Sequence, residues 1–292
     1  MILTALLVAT TVAADTPLVD AAWLAARAST RNLVIFHIGP RADYDSAHIA
    51  GAQFLGPRDI AAPDGPLALE LPDPARLDSV LEARGVSDDS RIVLYHSSQW
   101  ITPTTRAYFT LTWAGLGDRV SILDGGIEAW RAAGRPVTRE STPAPAPATG
   151  RLTIRPRSDI VVDAPFVRGQ LGRSDWTILD ARDRVFWTGE RLGMGSRMGH
   201  IPGALSVPYA TVADSSGRFL SPDQLRRLFA AAGAAPGKPV VSYCHIGQQA
   251  SAIWFAARLA GYEARLYDGS FQDWSGRADY PTVTVPAAER RP

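Results

Sequence analysis

The 292-residue chain has one cysteine, Cys244, and one lysine, Lys238. A single thiol excludes an intrachain disulfide and a multi-cysteine zinc site. The other basic residues are arginines, and 30 basic residues stand against 29 acidic ones. That balance gives no global positive field for nucleic acid or an anionic membrane surface. Long apolar runs are also missing. The most apolar stretch, 2–14, is shorter than the ~20 residues a spanning helix needs, so no stable membrane insertion of the mature chain is expected. The stretch ends in Val12-Ala13-Ala14, a small-residue pattern of the kind cleaved from exported proteins, although no basic residue precedes Arg27. Export to the periplasm or medium is expected, and a cytoplasmic location if 1–14 is not a signal.

What is present is a duplication. His48-Ile-Ala-Gly-Ala52 matches His200-Ile-Pro-Gly-Ala204, the strand ending Tyr95-His96 matches that ending Tyr243-Cys244, and Asp124-Gly-Gly-Ile-Glu-Ala-Trp130 matches Asp268-Gly-Ser-Phe-Gln-Asp-Trp274. The offsets are 152, 148 and 144 residues, in one order. Three ordered matches at nearly one offset indicate two copies of a domain. Between them a Pro/Ala-rich stretch removes amide donors and favours extended chain. The expected divisions are 1–14 signal, 15–140 first domain, 141–155 linker, 156–283 second domain and 284–292 tail.

Each half alternates short apolar runs with helical periodicity. Strands are expected at 33–36, 92–95, 120–123, 177–179, 240–243 and 265–267. Helices are expected at 18–28, 103–114, 127–133, 222–232 and 250–260. This order predicts an α/β fold, a mostly parallel sheet with helices on both faces in each half. Ligands of such sheets bind beyond the carboxyl ends of the strands.

Cys244 stands at such an end. The segment Cys244-His-Ile-Gly-Gln-Gln249 joins a strand to a helix. A tight loop entering a helix directs several amides into one concavity, with the helix macrodipole adding positive potential. Gly247 permits the positive φ that such a curl needs. Oriented donors of this kind lower a thiol pKa and suit a nucleophile. The opposing reading is an inert buried cysteine at a strand end.

These residues carry a resemblance. The loop Cys244–Ala250, the His-Ile-Pro-Gly-Ala turn and the Asp-Gly-Ser-Phe-x-x-Trp segment make the chain similar to tandem-domain rhodaneses, sulfurtransferases of the thiosulfate or 3-mercaptopyruvate type. The resemblance spans about residues 15–283. It implies two rhodanese-like domains, a catalytic second domain and a catalytically empty first one. It also implies sulfane-sulfur transfer through a Cys244 persulfide, with no metal and no organic cofactor. The implied partners are a small anionic sulfur donor and a thiophilic acceptor: cyanide, a small thiol or a protein thiol. In the first half His96 replaces the cysteine, and the following loop lacks glycine and carries Trp100.

Arg182, in Asp180-Ala-Arg182, is expected to hold the donor's anionic group, since a guanidinium fits a sulfonate or carboxylate bidentately. The alternative is a surface arginine paired with Asp183 or Glu190. His245, Ile246, Gly247, Gln248 and Gln249 are the remaining expected substrate contacts. Asp180, His200 and His48 are expected at the pocket or as supports of their turns, with His48 a candidate for the interdomain cleft. An insertion at 188–199, absent from the first half, reads as a mobile lip. The loop departs from both familiar signatures. It lacks the two basic residues of the thiosulfate type and the Gly-Ser of the mercaptopyruvate type. Two other classes stay open: a cysteine phosphatase, which wants Cys-x5-Arg where this chain has Ala250, and a non-turnover persulfide carrier.

Overall fold

The computed structural model describes residues 16–98, 100–140, 142 and 151–289. The expected signal 1–14 and most of the expected linker lie outside them. The first half runs β1 (Leu18–Val19), α1 (Ala21–Ala25), β2 (Leu33–Ile38), α2 (Arg41–Ser46), β3 (Gln53–Phe54), α3 (Pro74–Glu82), β4 (Arg91–His96), α4 (Ile101–Leu111), β5 (Val120–Leu123) and α5 (Gly126–Ala132). The second repeats it: β6 (Val161–Val162), α6 (Ala164–Gly169), β7 (Thr177–Asp180), α7 (Arg184–Trp187), β8 (Leu205–Ser206), α8 (Pro222–Ala231), β9 (Val240–Tyr243), α9 (Gln248–Leu259), β10 (Ala264–Tyr267) and α10 (Ser270–Gly276). The sheet orders are β1-β5-β4-β2-β3 and β6-β10-β9-β7-β8, the same order twice, and every pairing within them is parallel.

The repeated motifs fix this geometry. The hydroxyl of Tyr95 accepts from the Ile49 amide at 3.1 Å, and that of Tyr243 from the Ile201 amide at 3.2 Å. Each therefore ties the central strand of its sheet to the His-Ile turn. Trp130 Nε1 donates to the Pro136 carbonyl and Trp274 Nε1 to that of Pro281, both at 2.8 Å. A buried indole or phenol must find such a partner.

Two segments differ from expectation. Residues 18–28 do not form one helix. Leu18 and Val19 pair with Ile122 and Leu123 as an edge strand, and the Asp20 side chain then caps α1 through the Trp23 amide. Apolar Leu18 and Val19 fit the helical period, but the edge of the parallel sheet offers their backbone partners along β5. The end of the expected linker is also docked. Leu152 is buried, its amide bonds Glu82, and the Arg155 and Arg157 amides bond the Ala114 and Trp113 carbonyls.

The two halves share one core. Phe36, Leu94 and Phe109 of the first join Trp254, Phe255 and Leu266 of the second in a continuous buried cluster. Its centre is the packing of α4 on α9, helices that occupy equivalent places in the two copies. All eleven residues of α4 are buried. Among the described residues no helix is long and apolar enough to cross a membrane.

Candidate active site

β9 lies between β10 and β7, so Cys244 leaves the middle of its sheet. The chain turns through His245 and Ile246, and Gly247 enters α9 at φ +81°. A Cβ on Gly247 would lie 2.8 Å from Arg106 Nη1 and 3.0 Å from the Asp268 carbonyl. Only glycine meets both the dihedral and the space. The curl brings the amides of Ile246, Gln249 and Ala250 onto the Cys244 sulfur. The concavity of donors expected from the sequence is therefore formed.

Its effect on the thiol differs from expectation. Cys244 is completely buried, and burial pushes its pKa above the ordinary thiol value, with the three amides opposing and Asp180 adding to the rise. Desolvation of a thiolate in a dry enclosure outweighs three neutral donors. The resting group is a thiol with a prepared anion cradle.

The segment after β10 holds the loop from the other side. Ser270, at φ +51°, accepts from the Cys244 amide through Oγ at 3.2 Å. The Phe271 and Gln272 amides donate to the carbonyls of Cys244 and His245 at 2.9 and 3.0 Å. The Asp-Gly-Ser-Phe-x-x-Trp motif is thus the clamp of the cysteine loop, a role that sequence reading did not assign to Ser270.

Arg182 is buried beside the site, which removes the surface alternative. Its Nε and Nη2 are taken by the Asp180 carboxylate at 2.5–3.1 Å, and Nη2 also reaches the Gly199 carbonyl. The guanidinium lies 4.1 Å from the Phe271 ring centroid. Asp180 in turn accepts from the Arg182 amide and from the Tyr243 hydroxyl. Asp180 is therefore the strand-end turn residue, and Arg182 meets the pocket as half of a neutral pair.

His245 does not face solvent. Its ring meets Phe186 edge-on at 4.6 Å, and Nδ1 accepts from the Met194 amide at 3.3 Å. Burial, with Arg182 nearby, lowers its pKa to about 4, so it is neutral at pH 7. A Cβ on Gly193 would fall 2.2 Å from His245 Cε1, so that glycine lets the insertion lie directly on the ring. The expected mobile lip is tied down. Arg197 bonds the carbonyls of Trp274, Ser275, Arg277 and Tyr280, and Ser196 bonds Ser275.

Ile246 and Gln249 contribute amides to the cradle. The Gln248 side chain is turned away from it, donating to Thr102 Oγ1 of α4 at 3.3 Å. Gln249 Oε1 is buried without a partner. His200 stacks on Trp187 and bonds its carbonyl at 2.7 Å, which makes it a turn support. His48 is buried in its own domain, with ring nitrogens on the Tyr44 and Glu140 carbonyls, so it does not reach the interdomain cleft.

In the first half His96 ends β4 where Cys244 follows β9, and its Nδ1 is buried without a partner. His37 and Ser97 occupy the places of Asp180 and His245, joined at 3.1 Å. Among the described residues no group of three or more His, Cys, Asp or Glu side chains could hold a metal ion.

The chain matches known proteins along most of its length. A family model described as "Rhodanese-like domain" matches residues 20–133 and 164–277. A protein of Pseudomonas aeruginosa named "Probable 3-mercaptopyruvate sulfurtransferase" is 38% identical over 250 residues, 82% of this chain and 86% of its own. The "Thiosulfate sulfurtransferase" of Gallus gallus is 30% identical over 241 residues, 82% of each chain. An anaerobic ergothioneine biosynthesis enzyme from Chlorobium limicola, solved with trimethyl histidine, shares the fold with a TM-score of 0.83 at 23% identity, over 92% of this chain and 70% of that one. With both halves matched and each built on the same sheet order, the chain belongs to the rhodanese family, carrying two of its domains in tandem.

Proposed function

We propose that this rhodanese-family sulfurtransferase moves a sulfane sulfur from thiosulfate to cyanide or a thiol through a persulfide on Cys244. The observation that carries the reading is the set of three amides converging on the Cys244 sulfur. In the first step the Cys244 thiol releases its proton to solvent and the resulting thiolate attacks the outer sulfur of thiosulfate; a Cys244–S–S⁻ bond forms, the S–S bond of the donor breaks, and sulfite leaves with its electron pair. In the second, cyanide attacks the outer sulfur, thiocyanate leaves, and the thiolate returns. Charge balances in both steps, and neither uses a metal or cofactor. The scheme is ping-pong. The amides of Ile246, Gln249 and Ala250 hold the negative charge of the thiolate and persulfide, and Arg182 borders them paired to Asp180.

A second donor is favoured by one observation. With His245 neutral and Arg182 paired to Asp180, the pocket lacks the positive excess that suits a dianion. 3-Mercaptopyruvate, a monoanion, demands less of it. A paired assay of both donors decides, with cyanide and a dithiol as acceptors and Cys244→Ala as control. Turnover with neither donor, while Cys244 still accepts sulfur from a protein, would favour a carrier. The first domain serves as scaffold, since His96 offers no thiol. The apolar segment 2–14 supports export, and the N-terminal sequence of the mature protein in a cell fraction tests it.

A further inference from the structure

We propose that Arg106, on the domain without the thiol, is a positioning residue for sulfur transfer: it fixes the amide cradle of Cys244 from behind through Asp268. The inference rests on the Cys244 persulfide reading.

Arg106 lies in α4 and is almost fully buried. Its Nη1 donates to Asp268 Oδ1 and its Nη2 to the Leu69 carbonyl, both at 2.5 Å. One guanidinium thus joins a helix and a loop of the first domain to the catalytic clamp of the second. Asp268 begins the segment whose Ser270, Phe271 and Gln272 bind the backbone of Cys244 and His245. Nη1 also fills the space beside Gly247 that a Cβ would need. The cysteine loop is therefore sandwiched between Arg106 and the segment that Arg106 holds.

Other bonds converge on the same place. Asp268 Oδ2 accepts from the Leu71 amide at 3.0 Å, and Gln272 Oε1 from the Ala68 amide at 3.1 Å. Leu69 sits between them at φ +57°, a conformation that a leucine keeps only when its surroundings impose it. On the other flank Thr105 and Ser251 share a hydrogen bond of 2.8 Å between α4 and the first turn of α9. The cradle amides of Gln249 and Ala250 belong to that turn. Both ends of the cradle are thus anchored on the first domain, and Arg106 is the one ion pair in that anchorage among the described residues. Its bonds touch no donor group, so its loss should slow the chemistry and leave donor binding alone.

The test is the single-turnover rate constant of Cys244 persulfide formation, measured over a range of thiosulfate and of 3-mercaptopyruvate concentrations. A first-order constant does not depend on how much of the preparation is active. Two variants are compared with wild type in the full chain. Arg106→Met leaves the partly buried Asp268 without its cation. The double variant Arg106→Gln with Asp268→Asn leaves no unpaired charge, and its shorter amide cannot bridge both residue 268 and the Leu69 carbonyl. Both are expected to lower the limiting rate constant at least 10-fold, with half-saturating donor within 2-fold of wild type. A limiting rate within 2-fold of wild type in the double variant overturns the proposal even if Arg106→Met fails to fold. A change confined to half-saturation overturns it too. If wild type itself gains no sulfur from either donor, the functional reading has failed rather than the positioning one.

Discussion

Lowering the pH from 7 to 4.5 should cost this protein several kcal/mol, through two histidines that the chemistry does not use. His37 and His96 are 0% and 2% exposed, and burial lowers each from 6.5 to about 4. The folded state keeps both neutral, while the unfolded chain protonates them near 6.5. Stability from each is complete above the unfolded value and is lost as pH falls towards the folded one. Linkage gives about 2.5 kcal/mol per histidine between pH 7 and 4.5, or about 5 kcal/mol together as an upper figure. His245 shifts in the same direction. Glu70, Asp78 and Asp124 have raised values, chiefly from burial, and act oppositely, which is why 5 kcal/mol is an upper figure. The assay is urea unfolding at pH 7.0, 6.0, 5.5 and 4.5. Because one core spans both halves, a single transition is expected. His96→Gln should flatten the profile by about one histidine's share. A profile flat between pH 7 and 5, or one unchanged in His96→Gln, would refute the reasoning.

Gly247→Ala should slow persulfide formation at least 10-fold, because the added methyl needs φ +81° and meets Arg106; single-turnover kinetics with thiosulfate report it. Tyr243→Phe removes bonds to both Asp180 and the Ile201 amide, whereas Tyr95→Phe removes only the one to Ile49. Each missing partner in a buried site costs about 1–3 kcal/mol. Thermal unfolding should therefore place Tyr243→Phe below Tyr95→Phe, and the former should also lose activity by freeing Asp180. Equal melting temperatures would contradict the assignment. The raised thiol pKa predicts that alkylation of Cys244 by iodoacetamide accelerates with pH beyond the range of a free thiol; a plateau below pH 8 would show a depressed pKa instead.

The architecture was legible because its determinants are local. Central strands such as Val240–Tyr243 and Ile92–Tyr95 are short apolar runs buried on both faces, and the motifs recur at one offset. The edge strand Leu18–Val19 was hidden, since two residues carry no period of their own and become a strand only when β5 lies alongside. At the site, the cysteine, its loop and the positive φ of Gly247 follow from chain order. The thiol's raised pKa does not. It depends on burial by segments distant in sequence, such as the one bearing Ser270. Arg182 was expected as an anion holder because Asp180, two residues earlier, reads in sequence as a pocket or turn residue and not as its ion-pair partner. Arg106 and Asp268 lie 162 positions apart, and nothing local marks them as partners.

The most direct test of the central claim is the mass of the intact protein, and of the peptide bearing Cys244, after incubation with thiosulfate or 3-mercaptopyruvate and removal of excess donor. One added sulfur, about 32 Da, is expected on Cys244, lost again on adding cyanide with an equal yield of thiocyanate. A Cys244 that stays unmodified with both donors, in protein whose wild-type fold is verified, would contradict the account.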